Sequence, residues 1–445
     1  MRLPALLLAA TLLAGPAARA ETTVTGDLPR SADLGFSVTP DGPPQVRRLA
    51  AGSPAAAAGL RDGDRLLSVN GSVTDKGYLA AARLQQAEGG AALALSVQRD
   101  GKALDIRFTP PPRRLEEDPG LDIQYGVVRT RDGARLRTIL SRPKGATGPL
   151  PALFFTQWVS CGTVETIVPG REQLAALMRR TGMAVIRVER AGAGDSRGPA
   201  CHELDFDTEI RHYGEALDAL RAHPWVDPKR VVLYGNSLGA VVAPLVAKGR
   251  DVAGMLVQGG GALTYVERMV WFDRLNMERT GVPAAEIDRR MPLHLEFHVD
   301  YLLRGLDPDR IAREKPHLAG VWKDIRGTGD GVHYGRPLAW HRQAAKAGIL
   351  GAWAAIDAPV LVAYGAYDQF ETRHGHALVA AQANARRPGS GTLLEIAQGD
   401  HELELYASAE DAYAYKDGQA APELFLKPAI AWLRRVTGLE TKQAG

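Results

Sequence analysis

The chain has 445 residues, enough for two to three domains. Its hydrophobic share of 45% and charged share of 24% are those of an ordinary globular protein, which excludes a disordered chain, a fibrous repeat and a multi-span membrane protein. The formal charge of +3 gives no reason to expect nucleic acid or an anionic membrane as main partner, and two cysteines are too few for a disulfide-stapled miniprotein or a Cys-based zinc ribbon.

Residues 1–20 read as an export signal. Arg2 supplies positive charge, residues 3–13 an apolar stretch, and Ala18-Arg19-Ala20 small side chains at the two positions a signal peptidase reads. The apolar run is too short to span a membrane stably, and no cysteine follows it to carry a lipid. No later segment reaches eighteen uninterrupted apolar residues. The expectation is a chain cleaved after Ala20, periplasmic or secreted, without a stable membrane span in its mature part. In that oxidising setting Cys161 and Cys201 can pair.

Residues 33–109 form a small β-rich unit. Strand-like runs at 35–38, 45–49, 65–69, 93–98 and 104–108 are separated by turn residues such as Asp62-Gly63-Asp64, Asn70-Gly71 and Asp100-Gly101. Leu34-Gly35-Phe36, then Ser53-Pro54-Ala55-Ala56-Ala57-Ala58-Gly59-Leu60 with Asp62-Gly63-Asp64 and Val69-Asn70-Gly71, resemble a PDZ domain. The resemblance implies a carboxylate-binding loop at Leu34, Gly35 and Phe36, a groove-lining helix within 74–87, and a peptide or protein C-terminus as ligand, added as a strand to the sheet edge. A unit used only for packing is the alternative. Residues 110–120, with four prolines and five charges, read as an extended, solvated linker.

From residue 121 strand and helix patterns alternate. A hairpin is expected at 125–130 and 135–141, then buried strands at 152–156, 184–189, 231–234, 252–258, 359–364 and 392–397. Between them Ile210, Tyr213, Leu217 and Leu220 share one helical face. This argues a mostly parallel sheet covered by helices on both faces. Residues 261–356 interrupt the alternation with a long, charged, helical stretch holding Trp271, Trp322, Trp340 and Trp353, and read as an inserted cap.

Gly-x-Ser-x-Gly occurs twice, around Ser196 and around Ser237. A nucleophilic serine needs a sharp strand-to-helix turn that exposes its hydroxyl. Val231-Val232-Leu233-Tyr234 before Ser237 and the apolar run after it supply that turn; Pro199 rules out a helix after Ser196, whose glycines suggest a flexible loop. All eleven histidines lie after position 201, so no histidine precedes Ser196. Asp368 and His401 each follow a strand, in the chain order Ser, Asp, His, at the edge where such sheets place their chemistry.

Residues 121–445 thereby resemble the α/β-hydrolase family. The resemblance implies Ser237 as nucleophile, Asp368 as orienting acid and His401 as general base, with no metal and no organic cofactor. It makes 189–196 the loop after the fourth strand, which accounts for the motif around Ser196. The oxyanion loop departs from the common His-Gly start, reading Gln157-Trp158, and the backbone N–H groups of Leu238 and Trp158 are assigned as donors; Trp158 as a pocket wall is the alternative. The third and fourth strands are neighbours in that fold, so the resemblance also implies a Cys161–Cys201 bridge. His294 and His298, four apart, are read as cap-surface histidines rather than zinc ligands, and His333 and His341 carry no role. The cap tryptophans either line the pocket or form the cap's own core.

The functional expectation is an exported serine hydrolase cleaving carboxylic esters through an acyl-enzyme. An exopeptidase or oligopeptidase of the same fold is the alternative, with Glu267, Asp273 and Glu278 available to hold a substrate amine. A PDZ-based peptide-binding scaffold with little catalysis is a third reading. The expected partners are a small ester or peptide substrate and a peptide end.

Overall fold

The structure is a computed structural model that describes residues 22–23, 28–39, 42–75, 77–325, 332–333 and 336–439. The expected export signal, residues 1–20, lies outside the described residues.

The alternation after residue 121 builds one nine-stranded sheet. Its order is Thr22–Thr23, Leu121–Arg129, Arg135–Pro143, Ala184–Val188, Leu150–Thr156, Val226–Asn236, Gly254–Gln258, Val360–Gly365, Gly391–Ile396. The three pairings at the first edge are antiparallel and the other five parallel. Strands covered on both faces must be apolar throughout. Accordingly Ala184–Val188, Gly254–Gln258 and Val360–Gly365 are buried at every position. Two apolar clusters hold the faces. Helices Phe206–Leu220 and Leu238–Ala247 pack on one, with the cap; Glu172–Arg180 and Glu423–Val436 pack on the other.

The cap lies between Gly254–Gln258 and Val360–Gly365. Its first helix, Tyr265–Arg279, starts at a reciprocal cap: Glu267 N–H donates to the Thr264 hydroxyl, and Thr264 N–H donates to the Glu267 carboxylate. Of the cap tryptophans, Trp322, Trp340 and Trp353 are buried, whereas Trp271 is 40% exposed.

The N-terminal unit has a four-stranded sheet, Ser72–Val73, Arg65–Val69, Leu93–Arg99, Lys102–Phe108, and a separate pair, Ser37–Val38 with Val46–Arg47. Helix Gly77–Gln85 packs beside Ser37–Val38, next to the Leu34-Gly35-Phe36 loop. Leu34 and Phe36 pack on this unit's own core, and Gly35, at φ +68, accepts a hydrogen bond from Ala50 N–H at 2.7 Å.

The segment 110–120 is not the solvated spacer that its composition suggests. Glu116 is buried and binds both terminal nitrogens of the equally buried Arg187 at 2.7 Å. Arg113 reaches Glu165 at 3.2 Å, and the Glu116 N–H donates to the Tyr125 hydroxyl at 3.1 Å. Three of its five charges, Arg113, Glu116 and Asp118, pair with the large domain, so the segment docks while Arg114 and Glu117 stay exposed.

Candidate active site

The strand Val226–Asn236 runs into Ser237, and helix Leu238–Ala247 begins at the next residue. Ser237 has φ +53 and ψ −121. Holding a non-glycine residue there costs about 1–3 kcal/mol, a strain that such a turn must be built to bear. The Ser237 N–H donates to the Gln258 carbonyl at 2.8 Å. The flanking glycines are steric necessities. A Cβ on Gly235 would lie 2.4 Å from the Gly239 carbonyl oxygen, and one on Gly239 would lie 1.9 Å from the Thr156 oxygen.

Three loops at the C-terminal edge of the sheet meet here. His401 Nε2 is 3.0 Å from the Ser237 Oγ, and His401 Nδ1 is 2.9 Å from Asp368 Oδ2. The other Asp368 oxygen accepts from the N–H groups of Phe370 and Glu371 at 2.8 and 2.9 Å. Phe370 packs edge-on against the His401 ring, with centroids 4.9 Å apart. Burial disfavours charge on both partners of this pair. Against it, the imidazolium and its hydrogen bond hold Asp368 below the ordinary carboxylate range, and the carboxylate carries His401 up to about 9. Asp400, the sequence neighbour of His401, points elsewhere: its Oδ1 accepts from the N–H groups of Glu402 and Glu404, both at 2.9 Å.

The loop of Gln157 and Trp158 leaves the strand Leu150–Thr156 against the start of the Leu238 helix. Leu238 is the first residue of that helix, where backbone N–H groups have no intrahelical acceptor. Buried arginines fix the loop from below. Arg190 donates to the carbonyls of Trp158 at 2.9 Å and Ser160 at 3.0 Å, and Arg336 of the cap donates to those of Val159 at 3.1 Å and Cys201 at 2.8 Å. Glu209 answers both, Arg190 at 2.7 Å and Arg336 at 3.5 Å. Cys161 and Cys201 are joined as a disulfide that ties this loop to the one after Ala184–Val188.

A cavity of about 1000 Å³ opens over Ser237 and His401. Its lining draws on both apolar clusters: Tyr265, Met269 and Trp340 from one, and Phe155, Leu174, Tyr234 and Phe425 from the other. A buried serine, imidazole and carboxylate in line beside an apolar cavity can carry out nucleophilic acyl chemistry.

A model of the alpha/beta hydrolase family matches residues 150–414, and a PDZ-domain model matches residues 45–99. The chain belongs to the alpha/beta hydrolase family. Its N-terminal part carries a PDZ region. Polyketide transferase ATR5 of Stachybotrys chlorohalonatus is 32% identical over 122 residues, 27% of this chain and 38% of that protein, so the match spans under two fifths of that relative. Among solved structures, the Pyrococcus furiosus esterase Pf2001 is similar over 73% of this chain and 97% of its own, at 13% identity and a TM-score of 0.43. The esterase domain of a Rhodothermus marinus protein is similar over 71% and 98%, at 17% identity and a TM-score of 0.41.

Other residues of this alpha/beta hydrolase depart from their sequence readings. Ser196 is not on a flexible loop: it is 2% exposed, accepts from Arg137 N–H at 2.8 Å and donates to the Glu189 carbonyl at 2.9 Å. His294 and His298 are not on the cap surface. They are 3% and 0% exposed and share one buried carboxylate oxygen, Asp273 Oδ2, at 2.9 and 2.6 Å. His341 is buried, with its Nδ1 2.6 Å from the Tyr265 hydroxyl, and lines the cavity; the side chain of His333 lies outside the described residues. Trp158 and Trp340 line the cavity, whereas Trp322 and Trp353 belong to the core. The cavity arginines Arg171, Arg268 and Arg336 carry no motif and were not legible in the sequence.

Proposed function

We propose that this alpha/beta hydrolase is an exported serine esterase that works through an acyl-enzyme on Ser237. The observation that supports this most is the unbroken chain from the Ser237 Oγ to His401 to Asp368, at 3.0 and 2.9 Å, on a strained strand-to-helix turn. Neutral His401 takes the hydroxyl proton as the Ser237 oxygen attacks the ester carbonyl carbon. Asp368 holds the ring by its Nδ1 and stabilises the imidazolium. The N–H groups of Leu238 and Trp158 receive the developing oxyanion. His401 then returns the proton to the departing alcohol. Water, activated by the same imidazole, releases the acid.

An ester is favoured over a peptide by how the cap carboxylates are used. Glu267 caps its own helix, Asp273 serves two histidines, and Glu278 pairs with Arg274 at 2.9 Å. None of the three is left to hold a substrate amine. Export accords with the disulfide and with the reading of residues 1–20. The PDZ region would present a peptide end through Leu34, Gly35 and Phe36. The test is a panel of p-nitrophenyl esters of increasing acyl length against aminoacyl- and dipeptidyl-anilides. Ester turnover without anilide turnover is the expected result; the reverse makes the enzyme a peptidase.

A further inference from the structure

Three arginines line the cavity over Ser237, and two of them have a carboxylate of their own. Arg268 forms an ion pair with Glu371, and Arg336 lies 3.5 Å from Glu209. Arg171 has no such partner among the described residues. Its one hydrogen bond there runs from Nη1 to the adjacent Gly170 carbonyl at 2.9 Å, and its Nε is buried with no acceptor. The guanidinium carbon sits over the Trp158 ring, 3.7 Å from the centroid. That cation–π contact holds the guanidinium in place before any ligand arrives. Beneath it the Trp158 indole N–H is also buried without an acceptor. Glu402 and Glu172 are the nearest opposite charges, and both are exposed to solvent. Burial draws the Arg171 pKa below its ordinary value, and Glu402 and Glu172 offset this only in part.

We infer that Arg171, stacked on Trp158, forms an anion subsite of the cavity, and that the ester substrates of this enzyme carry a carboxylate. A guanidinium held in one plane presents two parallel N–H donors to a carboxylate, a geometry an ammonium lacks. The subsite shares the cavity lining with Phe155, Leu174 and Phe425 of one apolar cluster; Tyr265, Met269 and Trp340 of the other cluster line it together with Arg268 and Arg336, whose charges are already paired. This deepens the esterase reading and rests on it.

The test uses two matched pairs of esters at pH 7.5. Mono-p-nitrophenyl adipate against its methyl ester puts the carboxylate on the acyl side; 4-carboxyphenyl butyrate against its methyl ester puts it on the leaving group. In the full-length enzyme at least one pair should show a tenfold or greater kcat/KM preference for the acid. Arg171→Gln should reduce that ratio at least tenfold, and Arg171→Lys should keep part of it. A ratio near one in both pairs, or a ratio unchanged in Arg171→Gln, overturns the subsite while leaving the esterase reading intact. If none of the four esters is hydrolysed, the esterase reading fails by itself, and the subsite is then read by calorimetric binding of monomethyl adipate. Binding weakened tenfold or more in Arg171→Gln supports the subsite; equal binding or none overturns it.

Discussion

The reactivity proposed for Ser237 would come from the company it keeps rather than from its own chemistry. An isolated serine hydroxyl is a poor nucleophile, and an imidazole at 3.0 Å backed by a buried carboxylate changes that. Ser237→Ala should lower kcat/KM by roughly 10⁴–10⁶-fold with the fold intact, read by ester hydrolysis beside circular dichroism. Asp368→Asn should cost about 10⁴-fold, because the amide presents the wrong partner to His401 Nδ1. The pH profile follows from the same pair. Only neutral His401 accepts the proton, so kcat/KM should climb with pH toward the value of about 9 to which Asp368 raises it. In Asp368→Asn the remaining activity should titrate at lower pH. An acid limb at or below pH 6.5 in the unaltered enzyme contradicts the coupling. As a stability term, the raised His401 pKa helps fully below the unfolded value near 6.5 and is lost as pH rises through about 9.

At the scale of elements, the loop 157–162 is held by covalent and ionic ties together. The disulfide closes a separation of 40 residues, and constraining the unfolded chain over that length is worth about 4 kcal/mol. Cys161→Ser with Cys201→Ser should lower Tm by several degrees and slow turnover, seen in thermal melts and ester assays; unchanged kcat would mean the loop is positioned by Arg190 and Arg336 alone. This bridge was legible because both cysteines follow strands that the α/β-hydrolase resemblance makes neighbours. The sheet was legible for a related reason: strands buried on both faces leave unbroken apolar runs such as Val231-Val232-Leu233. The buried charges were not. Arg187, Arg190, Asp273, His294 and Arg336 belong to residue types that usually face water, and their partners lie far away in the chain. Nothing in the letters around Glu116 shows that it meets Arg187 71 residues later. Glu116→Ala should therefore cost about 3–5 kcal/mol by leaving Arg187 buried and unpaired, measurable by urea unfolding.

In the whole molecule, the PDZ region enters and leaves the hydrolase by adjacent segments. Ala32 bridges Pro112, and on the way in Ser31 gives both its N–H and its hydroxyl to Asp195 Oδ1 at 2.8 Å. Arg30 binds Asp195 and Glu165. The aspartate of the Gly-x-Ser-x-Gly around Ser196 is thus an anchor for the N-terminal segment. Deleting residues 21–112 should destabilise the fold by a few kcal/mol, because Asp195 loses Arg30 and both Ser31 donors and Glu165 loses Arg30, while Arg137 and Arg113 remain. Replacing only 33–111 by a short Gly-Ser linker keeps those contacts and should leave the melting temperature of the hydrolase nearly unchanged. Equal stability of the two deletions, in parallel calorimetric scans, would show that the clamp contributes little. The claim on which everything else depends is that Ser237 carries the acyl group. Intact-mass and peptide spectra after brief reaction with a p-nitrophenyl ester and acid quench test it most directly. The account predicts one acyl group, located on the peptide containing Ser237 and absent in Ser237→Ala; an acyl group on another residue, or undiminished ester turnover in Ser237→Ala, would contradict it.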